Sequence, residues 1–324
     1  MLYCDRRVDQ RWCWSKPEDS DLIVPDIIRK SIAFIGYSEI SGKKYLAGTA
    51  FFVSRLIKGQ DGLGYLVTAK HVIDKIRDKG LISLCIRLNF KNGSATWIDM
   101  NLSEWEFHPT DRSVDVAVAR APAGIQLAVD IDAYPMHRFA TPAVVKQFEI
   151  GIGNEVFFPG LFVNHYGEQR NIPIVRVGNI AAMPEEKVVT KKYGPIDAYL
   201  VEVRSIGGLS GSPVFVHLGP IRLRNGELLR SGEDEGVFFL LGLMHGHFEA
   251  ETLSEADAGT PIEDSAKERV NMGIGIVVPA EKIVEVIMQP KIQAEDARTI
   301  AEAENSRLPV ADVAEAHLTK NDLE

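Results

Sequence analysis

Residues 205–216 have the sequence Ser-Ile-Gly-Gly-Leu-Ser-Gly-Ser-Pro-Val-Phe-Val, and this stretch decides how the whole chain is interpreted. A single serine, Ser210, is flanked by glycine-rich sequence just before an apolar run that predicts a buried strand. Glycine adopts backbone angles that other residues avoid, so such a turn can present a hydroxyl outward and aim its own N–H groups at one point. That point suits the oxyanion of an acyl-transfer reaction. An ordinary turn explains the stretch almost as well, so a base and an acid must be sought upstream.

A histidine occurs in a suitable context earlier in the chain. Short β-rich runs at residues 32–37, 47–53 and 64–68 are separated by Ser-Gly and Asp-Gly turns, which predicts a barrel or sandwich. The third run leads into Thr-Ala-Lys-His-Val, with the histidine at His71. A lone histidine at the start of a helix is more often a surface residue than a general base, and that alternative stays open on this motif alone.

A buried carboxylate is predicted at the start of a later strand. Asp115 has valines on both sides in Val-Asp-Val-Ala-Val, an apolar setting that a carboxylate enters only when it is paired. Asp111, in the polar turn just upstream, is the competing choice for an acid. We prefer Asp115 because it alone lies within the strand pattern.

The three motifs together resemble the chymotrypsin/trypsin-like serine proteases of bacterial type, including the high-temperature-requirement-type and glutamyl endopeptidase branches. Gly-Leu-Ser-Gly-Ser-Pro is similar to the nucleophile turn of that family, Thr-Ala-Lys-His to its base motif, and Asp-Val-Ala-Val to its acid motif. The order His71, Asp115, Ser210 is the chymotrypsin order and differs from those of subtilisin and the α/β-hydrolases. The resemblance covers residues 31–288.

The resemblance implies an all-β fold of two six-stranded antiparallel β-barrels with a C-terminal helix. The implied boundaries are an N-terminal extension at 1–26, a first barrel with His71 and Asp115 at 27–143, a second barrel plus helix with Ser210 at 144–290, and a charged, partly helical or mobile tail at 291–324. It further implies a serine endopeptidase that hydrolyses polypeptide substrates through a Ser-His-Asp triad and an acyl-enzyme intermediate, without a cofactor.

Further site residues follow from the same resemblance. The N–H groups of Gly208 and Ser210 are expected to form the oxyanion hole, and substrate binding is expected at Arg204, His245 and His247. A cationic Arg204 at the pocket base with nearby histidines favours an acidic side chain before the scissile bond; alternatively, Arg204 points to solvent and the histidines pack on the barrel. Leu209 departs from the family, because many relatives have an aspartate there that pairs with a freed N-terminus.

Composition limits the other possibilities. The chain has 324 residues, 45% of them hydrophobic, and a net charge of −9 without a basic stripe, which argues against nucleic-acid binding. No stretch approaches the roughly 20 apolar residues of a membrane span, and no secretory signal is recognisable. Three scattered cysteines predict a reducing, cytoplasmic setting, and neither they nor the two histidines of His-Gly-His supply a zinc ligand set. The oligomeric state is not predicted.

Two other functions remain compatible with the sequence. One is a catalytically idle trypsin-fold protein that binds an extended peptide by strand addition and acts as a scaffold or sensor. The other is an intracellular esterase that uses the same triad on small acyl substrates.

Overall fold

The computed structural model describes residues 24–39, 41–57, 60–122, 125–190, 193–203, 208–219, 221–224, 227–230, 238–253 and 267–306, and most of the ordered elements are strands. Arg204, one of the predicted substrate-binding residues, lies outside the described residues, as do the N-terminal residues up to 23 and the tail beyond 306. No helix within the described ranges is long and apolar enough to cross a bilayer.

The first half of the described chain forms an eight-stranded sheet. Its strand order is β5-β4-β1-β2-β3-β7-β6, and β8 pairs with β2. The elements, in chain order, are α1 (Asp26–Lys30), β1 (Ile32–Ser38), β2 (Lys44–Ile57), β3 (Gln60–Thr68), α2 (Lys70–Arg77), β4 (Ser83–Asn89), β5 (Ala95–Asn101), β6 (Glu106–Phe107), β7 (Ala117–Arg120), α3 (Ile125–Ala128) and β8 (Tyr134–Pro135).

The second half forms a closed barrel of six strands in the order β10-β13-β18-β17-β14-β9, in which every pairing between described strands is antiparallel. The elements, in chain order, are α4 (Pro142–Gln147), β9 (Glu155–Gly160), β10 (Ile174–Ala182), β11 (Val188–Thr190), β12 (Gly194–Ile196), β13 (Tyr199–Glu202), β14 (Pro213–His217), β15 (Ile221–Arg224), β16 (Glu227–Arg230), β17 (Phe238–Leu253), β18 (Lys267–Pro279), α5 (Ala280–Ile287) and α6 (Pro290–Ser306).

These elements confirm the predicted fold class, a mostly β chain with a closed six-stranded antiparallel barrel and a C-terminal helix. The first half has eight strands rather than six, because β6 and β8 each add a pairing of only two residues. Helix α5 follows Pro279, and its Ile283, Val286 and Ile287 are buried at the helical spacing that the sequence predicts.

The two halves share one apolar core. A single cluster of buried side chains contains Phe34 of β1, Phe215 of β14, Leu240 of β17 and Ile287 of α5. A second cluster lies within the barrel and includes Val201. Because the larger cluster crosses between the halves, burial of apolar surface stabilises their relative position as well as each half separately.

Helix α6 is attached to the first sheet by a buried carboxylate. Asp296 accepts hydrogen bonds from the hydroxyl of Tyr65, at 2.6 Å, and from the guanidinium of Arg55, at 3.1 Å. Arg120 forms an ion pair with its second oxygen, Nε to Oδ1, at 3.1 Å. Since the Asp296 side chain is 1% exposed, this helix depends on charge pairing as well as on apolar contact.

Candidate active site

The sheet register brings His71 and Asp115 together. Strands β3 and β7 are antiparallel, with Thr68 opposite Ala117 and Leu66 opposite Ala119. The chain leaves β3 just before α2, which begins at Lys70, while Asp115 comes just before β7. In an antiparallel pair, the residues beyond Thr68 and those before Ala117 emerge at the same end of the sheet. The histidine and the aspartate therefore emerge side by side, although 43 residues separate them in the chain.

The Asp115 carboxylate binds His71 with both of its oxygens. Oδ2 is 2.7 Å from Nδ1 of the imidazole, and Oδ1 accepts the backbone N–H of His71 at 2.8 Å. Burial of the carboxylate opposes its ionisation, but the His71 ring and a hydrogen bond from His245 outweigh that effect and hold the pKa of Asp115 well below its ordinary value. An ionised Asp115 only accepts hydrogen bonds, so Nδ1 of His71 carries its proton and Nε2 is left as the basic nitrogen.

The competing carboxylate, Asp111, has different partners. It accepts hydrogen bonds from the hydroxyl and the backbone N–H of Ser113, at 2.6 and 2.8 Å. Those bonds lower the pKa of Asp111. The structure thus places Asp115 against the histidine and Asp111 within a local turn.

The serine turn docks on the first sheet through Thr49 of β2. The Thr49 N–H donates to the carbonyl of Ser210 at 3.0 Å, and the Thr49 hydroxyl donates to the carbonyl of Gly208 at 3.0 Å. The same hydroxyl accepts the N–H of Leu161 at 2.9 Å. One buried threonine therefore connects both sides of the serine turn to a strand of the other half.

Two glycines give this turn its shape. Gly208 and Gly211 have φ angles of 101° and 83°, in the region that side-chain-bearing residues avoid. A Cβ added to Gly211 would overlap the carbonyl oxygen of Thr49 and the hydroxyl of Thr68. The absence of a side chain thus allows the backbone next to Ser210 to approach the end of β3, from which the His71 segment begins.

The side chains of Ser210 and His71, the predicted nucleophile and base, are not joined by a hydrogen bond in this structure. Among the described residues, the Ser210 hydroxyl makes no hydrogen bond to the His71 ring, and the N–H groups of Gly208 and Ser210 donate to no other described residue. Hydrogen bonds of catalytic groups are often long in enzymes without substrate and tighten when substrate binds.

A second histidine binds the same carboxylate. Nδ1 of His245 is 2.5 Å from Oδ2 of Asp115, and the rings of His245 and His71 meet edge to face with centroids 5.4 Å apart. Possible metal-ligand atoms of His71, Asp115 and His245 lie within 4.8 Å of one another. Within the described residues, these three side chains form a group that could hold a metal ion. The sequence does not suggest such a grouping, because its members come from three separate segments.

Two other residues that the sequence singles out, His247 and Leu209, lie on the strand that carries His245 and in the barrel core, respectively. His247 is half-buried on β17, two residues beyond His245. Leu209 is 1% exposed and packs in the core cluster of the barrel, which explains how an apolar residue is accommodated where many proteases of the resembled family have an aspartate.

Sequence reasoning missed two contacts at the candidate site. One is the pair of hydrogen bonds from Thr49 to the serine turn, and the other is the hydrogen bond between His245 and Asp115. Thr49 lies in the Gly-Thr-Ala-Phe-Phe run, where its apolar neighbours predict a strand but say nothing of the hydroxyl. For His245 the sequence holds no such signal, and the structure supplies the reason for its position: the Met244 N–H donates to the Ser212 carbonyl and the Gly211 N–H donates to the Met244 carbonyl, both at 2.8 Å. That ladder carries the residue after Met244 to the serine turn.

Comparisons with known proteins give a limited result. No protein family matches the sequence, and no curated protein matches it. The crystal structure of Deg5 is similar over 80% of this chain and 89% of that one, with 15% identity and a TM-score of 0.44. The inactive form of a serine-to-alanine mutant of Rv3671c from M. tuberculosis is similar over 82% of this chain and 88% of that one, with 17% identity and a TM-score of 0.39. At these identities the similarity concerns the fold alone.

Proposed function

We propose that this protein is a serine endopeptidase of trypsin-like fold, with Ser210 as nucleophile, His71 as general base and Asp115 as the residue that orients the base. The observation that carries the proposal is the buried Asp115 carboxylate, which holds both the ring and the backbone of His71. A surface histidine has no need of such a partner, because burial of an ionised carboxylate is costly unless its oxygens are bound.

The proposed reaction begins with proton transfer. As the Ser210 oxygen bonds to the carbonyl carbon of the substrate, its proton passes to Nε2 of His71. Asp115 keeps the proton of His71 on Nδ1 and stabilises the imidazolium that forms. The negative charge on the substrate oxygen is bound by the N–H groups of Gly208 and Ser210, and losing one such donor typically raises the barrier by about 3 kcal/mol.

The second part of the reaction restores the enzyme. When the carbon–nitrogen bond breaks, His71 returns its proton to the departing amine, and the acyl group remains on the Ser210 oxygen. Water then attacks the acyl carbon and gives a proton to His71, which passes it to Ser210 as the acid leaves. Substrate in the cleft is expected to bring the serine hydroxyl into hydrogen-bond distance of Nε2, as occurs in other enzymes on binding.

Substrate preference forms a separate part of the proposal. Arg204, His245 and His247 are the predicted substrate-binding residues, and a cationic pocket would favour an acidic side chain before the scissile bond. Cleavage of a mixed peptide library measures this directly. Preference for aliphatic or basic residues at that position would eliminate the acidic-pocket proposal without affecting the triad.

Labelling with a fluorophosphonate probe tests the nucleophile. The probe is expected to attach to Ser210 of the wild type and not to react with Ser210→Ala, while peptide hydrolysis by that variant falls to background. Ser212→Ala is the matched control in the same turn: its hydroxyl is buried and has no hydrogen-bond partner among the described residues, so its loss should leave labelling intact. An unlabelled wild type, with correct folding shown by circular dichroism, would favour the idle peptide-binding scaffold instead.

A further inference from the structure

The bond between His245 and Asp115 crosses from one half of the molecule to the other. Asp115 lies just before β7 in the first half of the molecule, whereas His245 lies on β17 of the closed barrel. The carboxylate is ionised and completely buried, so its hydrogen bond with His245 is charge-assisted. The two halves are thus joined by a polar contact at the candidate triad itself.

The hydrogen-bond pattern fixes the proton positions on both rings. Oδ2 of Asp115 is approached by Nδ1 of His71 and by Nδ1 of His245, at 2.7 and 2.5 Å. Because an ionised carboxylate has no proton to give, each Nδ1 must be the donor. In each imidazole, Nε2 is therefore the nitrogen that does not bind Asp115. Because both Nδ1 atoms share one oxygen, the orientation of one ring limits that of the other.

His245 is itself held from two sides. Its ring packs edge to face on Tyr193, with centroids 5.9 Å apart. Its backbone follows Met244, which pairs with Ser212 and Gly211 of the serine turn. Hydrogen bonds thus connect the serine turn to the segment that carries His245, and His245 to Asp115.

We propose that His245 is a positioning residue, which fixes the Asp115 carboxylate so that His71 keeps its orientation toward Ser210. With Oδ1 bound to the His71 backbone and Oδ2 bound to two rings, the carboxylate cannot rotate without breaking a hydrogen bond. This role replaces direct substrate contact as the function of the His245 Nδ1 atom. The expected effect of His245 on kcat rests on the proposed peptidase function, whereas the hydrogen bonds around Asp115 do not.

Two substitutions at His245 distinguish the effect of its hydrogen-bond donor from the effect of the space that its ring fills. His245→Leu removes the donor at similar volume, and His245→Asn retains an N–H near the position of Nδ1. We expect His245→Leu to lower kcat about 10- to 100-fold with KM unchanged, the loss expected when a catalytic group is misplaced. His245→Asn should recover most of kcat. Rescue by the asparagine would distinguish positioning from simple packing.

His217→Leu serves as the matched control. His217 lies on the neighbouring strand β14 and pairs with Glu155 at 2.8 Å, with a side-chain exposure of 11% against 13% for His245. Its replacement should leave kcat and KM at wild-type values. All measurements include EDTA, so that no metal ion bound at the three residues contributes.

Nuclear magnetic resonance of protein with ¹⁵N-labelled histidine supplies a readout that does not need activity. Hydrogen-bonded Nδ1–H signals are expected downfield from His71 and His245, and a third from His217, whose Nδ1 lies 2.8 Å from Glu155 and whose signal His217→Leu identifies. His245→Leu should remove the His245 signal and move that of His71, and His71→Ala should do the reverse. A His245→Leu protein with wild-type kcat and an unmoved His71 signal would refute the positioning role. If the fluorophosphonate fails to label the wild type, the peptidase proposal fails. The signals of His71 and His245 then still test the hydrogen bonds around Asp115.

Discussion

Substituting alanine for Gly211 tests how the serine turn docks on the first half of the molecule. Gly211 has φ of 83°, and an added Cβ would lie 3.0 Å from the backbone nitrogen of Ala69 and closer still to Thr49 and Thr68. Two of those three neighbours are backbone atoms, which cannot rotate away as the end of a side chain can. The turn or strand β2 must therefore shift.

A matched glycine separates the two costs of replacing Gly211 by alanine, the backbone penalty and the steric overlap. Gly42 has nearly the same φ, 79°, but nothing lies within 4 Å of its added Cβ. Gly42→Ala thus measures the backbone penalty alone, about 1–2 kcal/mol for a left-handed alanine. Gly211→Ala adds overlap with packed neighbours, which typically costs a further 1–3 kcal/mol. We expect the free energies of unfolding of the two variants to differ by that second term.

Urea denaturation followed by circular dichroism measures both free energies, and comparison of the slopes shows whether the unfolding transition has changed in extent. The rate of fluorophosphonate labelling at Ser210 is measured in parallel and should fall in Gly211→Ala only. Equal destabilisation by the two alanines, with labelling unaffected, would show that the turn does not pack on β2 as described.

Three further outcomes are expected. Thr49→Val leaves the buried N–H of Leu161 unpaired and should cost about 1–3 kcal/mol in urea denaturation, whereas Thr49→Ser, which keeps the hydroxyl, should cost less; equal losses would contradict the bridging role. Asp296→Asn should lower the free energy of unfolding by about 2 kcal/mol, a smaller loss than that of a fully buried ion pair because both arginines are partly exposed. Glu302→Gln on the same helix should have little effect, and equal unfolding free energies of the two variants would contradict this. Burial raises the pKa of the Cys85 thiol, so in a Cys4→Ser/Cys13→Ser background the native protein should resist a thiol reagent until urea unfolds it, and rapid native reaction would contradict that.

The sequence predicts those parts of the site that depend on local patterns. Ser210 can be found because glycines on both sides favour an unusual turn, and Asp115 because a carboxylate between buried valines requires a partner. The partner follows once β3 and β7 are paired, since Thr68 lies opposite Ala117. Strand periodicity does not specify that pairing, so it is the resemblance to the serine protease family that predicts His71 as the partner of Asp115.

Contacts between distant segments could not be predicted in the same way. The hydroxyl of Thr49 reaches Gly208 across 158 intervening residues, and no periodicity in the sequence encodes that approach. The carboxylate of Asp296 similarly lies in a polar, Ala/Glu-rich stretch that favours a solvated helix, yet it is buried against Tyr65. In both cases the position of a polar atom depends on how two packed surfaces meet, which local sequence does not specify.

The division of the candidate site between the two halves has a consequence for its control. His71 of α2 and Asp115, just before β7, come from the first half, whereas Ser210 and His245 come from the second half. Neither half therefore contains a complete candidate site. Thr49 with Ser210 and Asp115 with His245 are polar contacts across that division. The larger apolar cluster also crosses between the halves, so a relative shift that moved the Ser210 hydroxyl away from His71 would disturb that cluster as well as these hydrogen bonds. The distance from the Ser210 hydroxyl to His71 therefore depends on apolar packing between the halves together with these polar contacts.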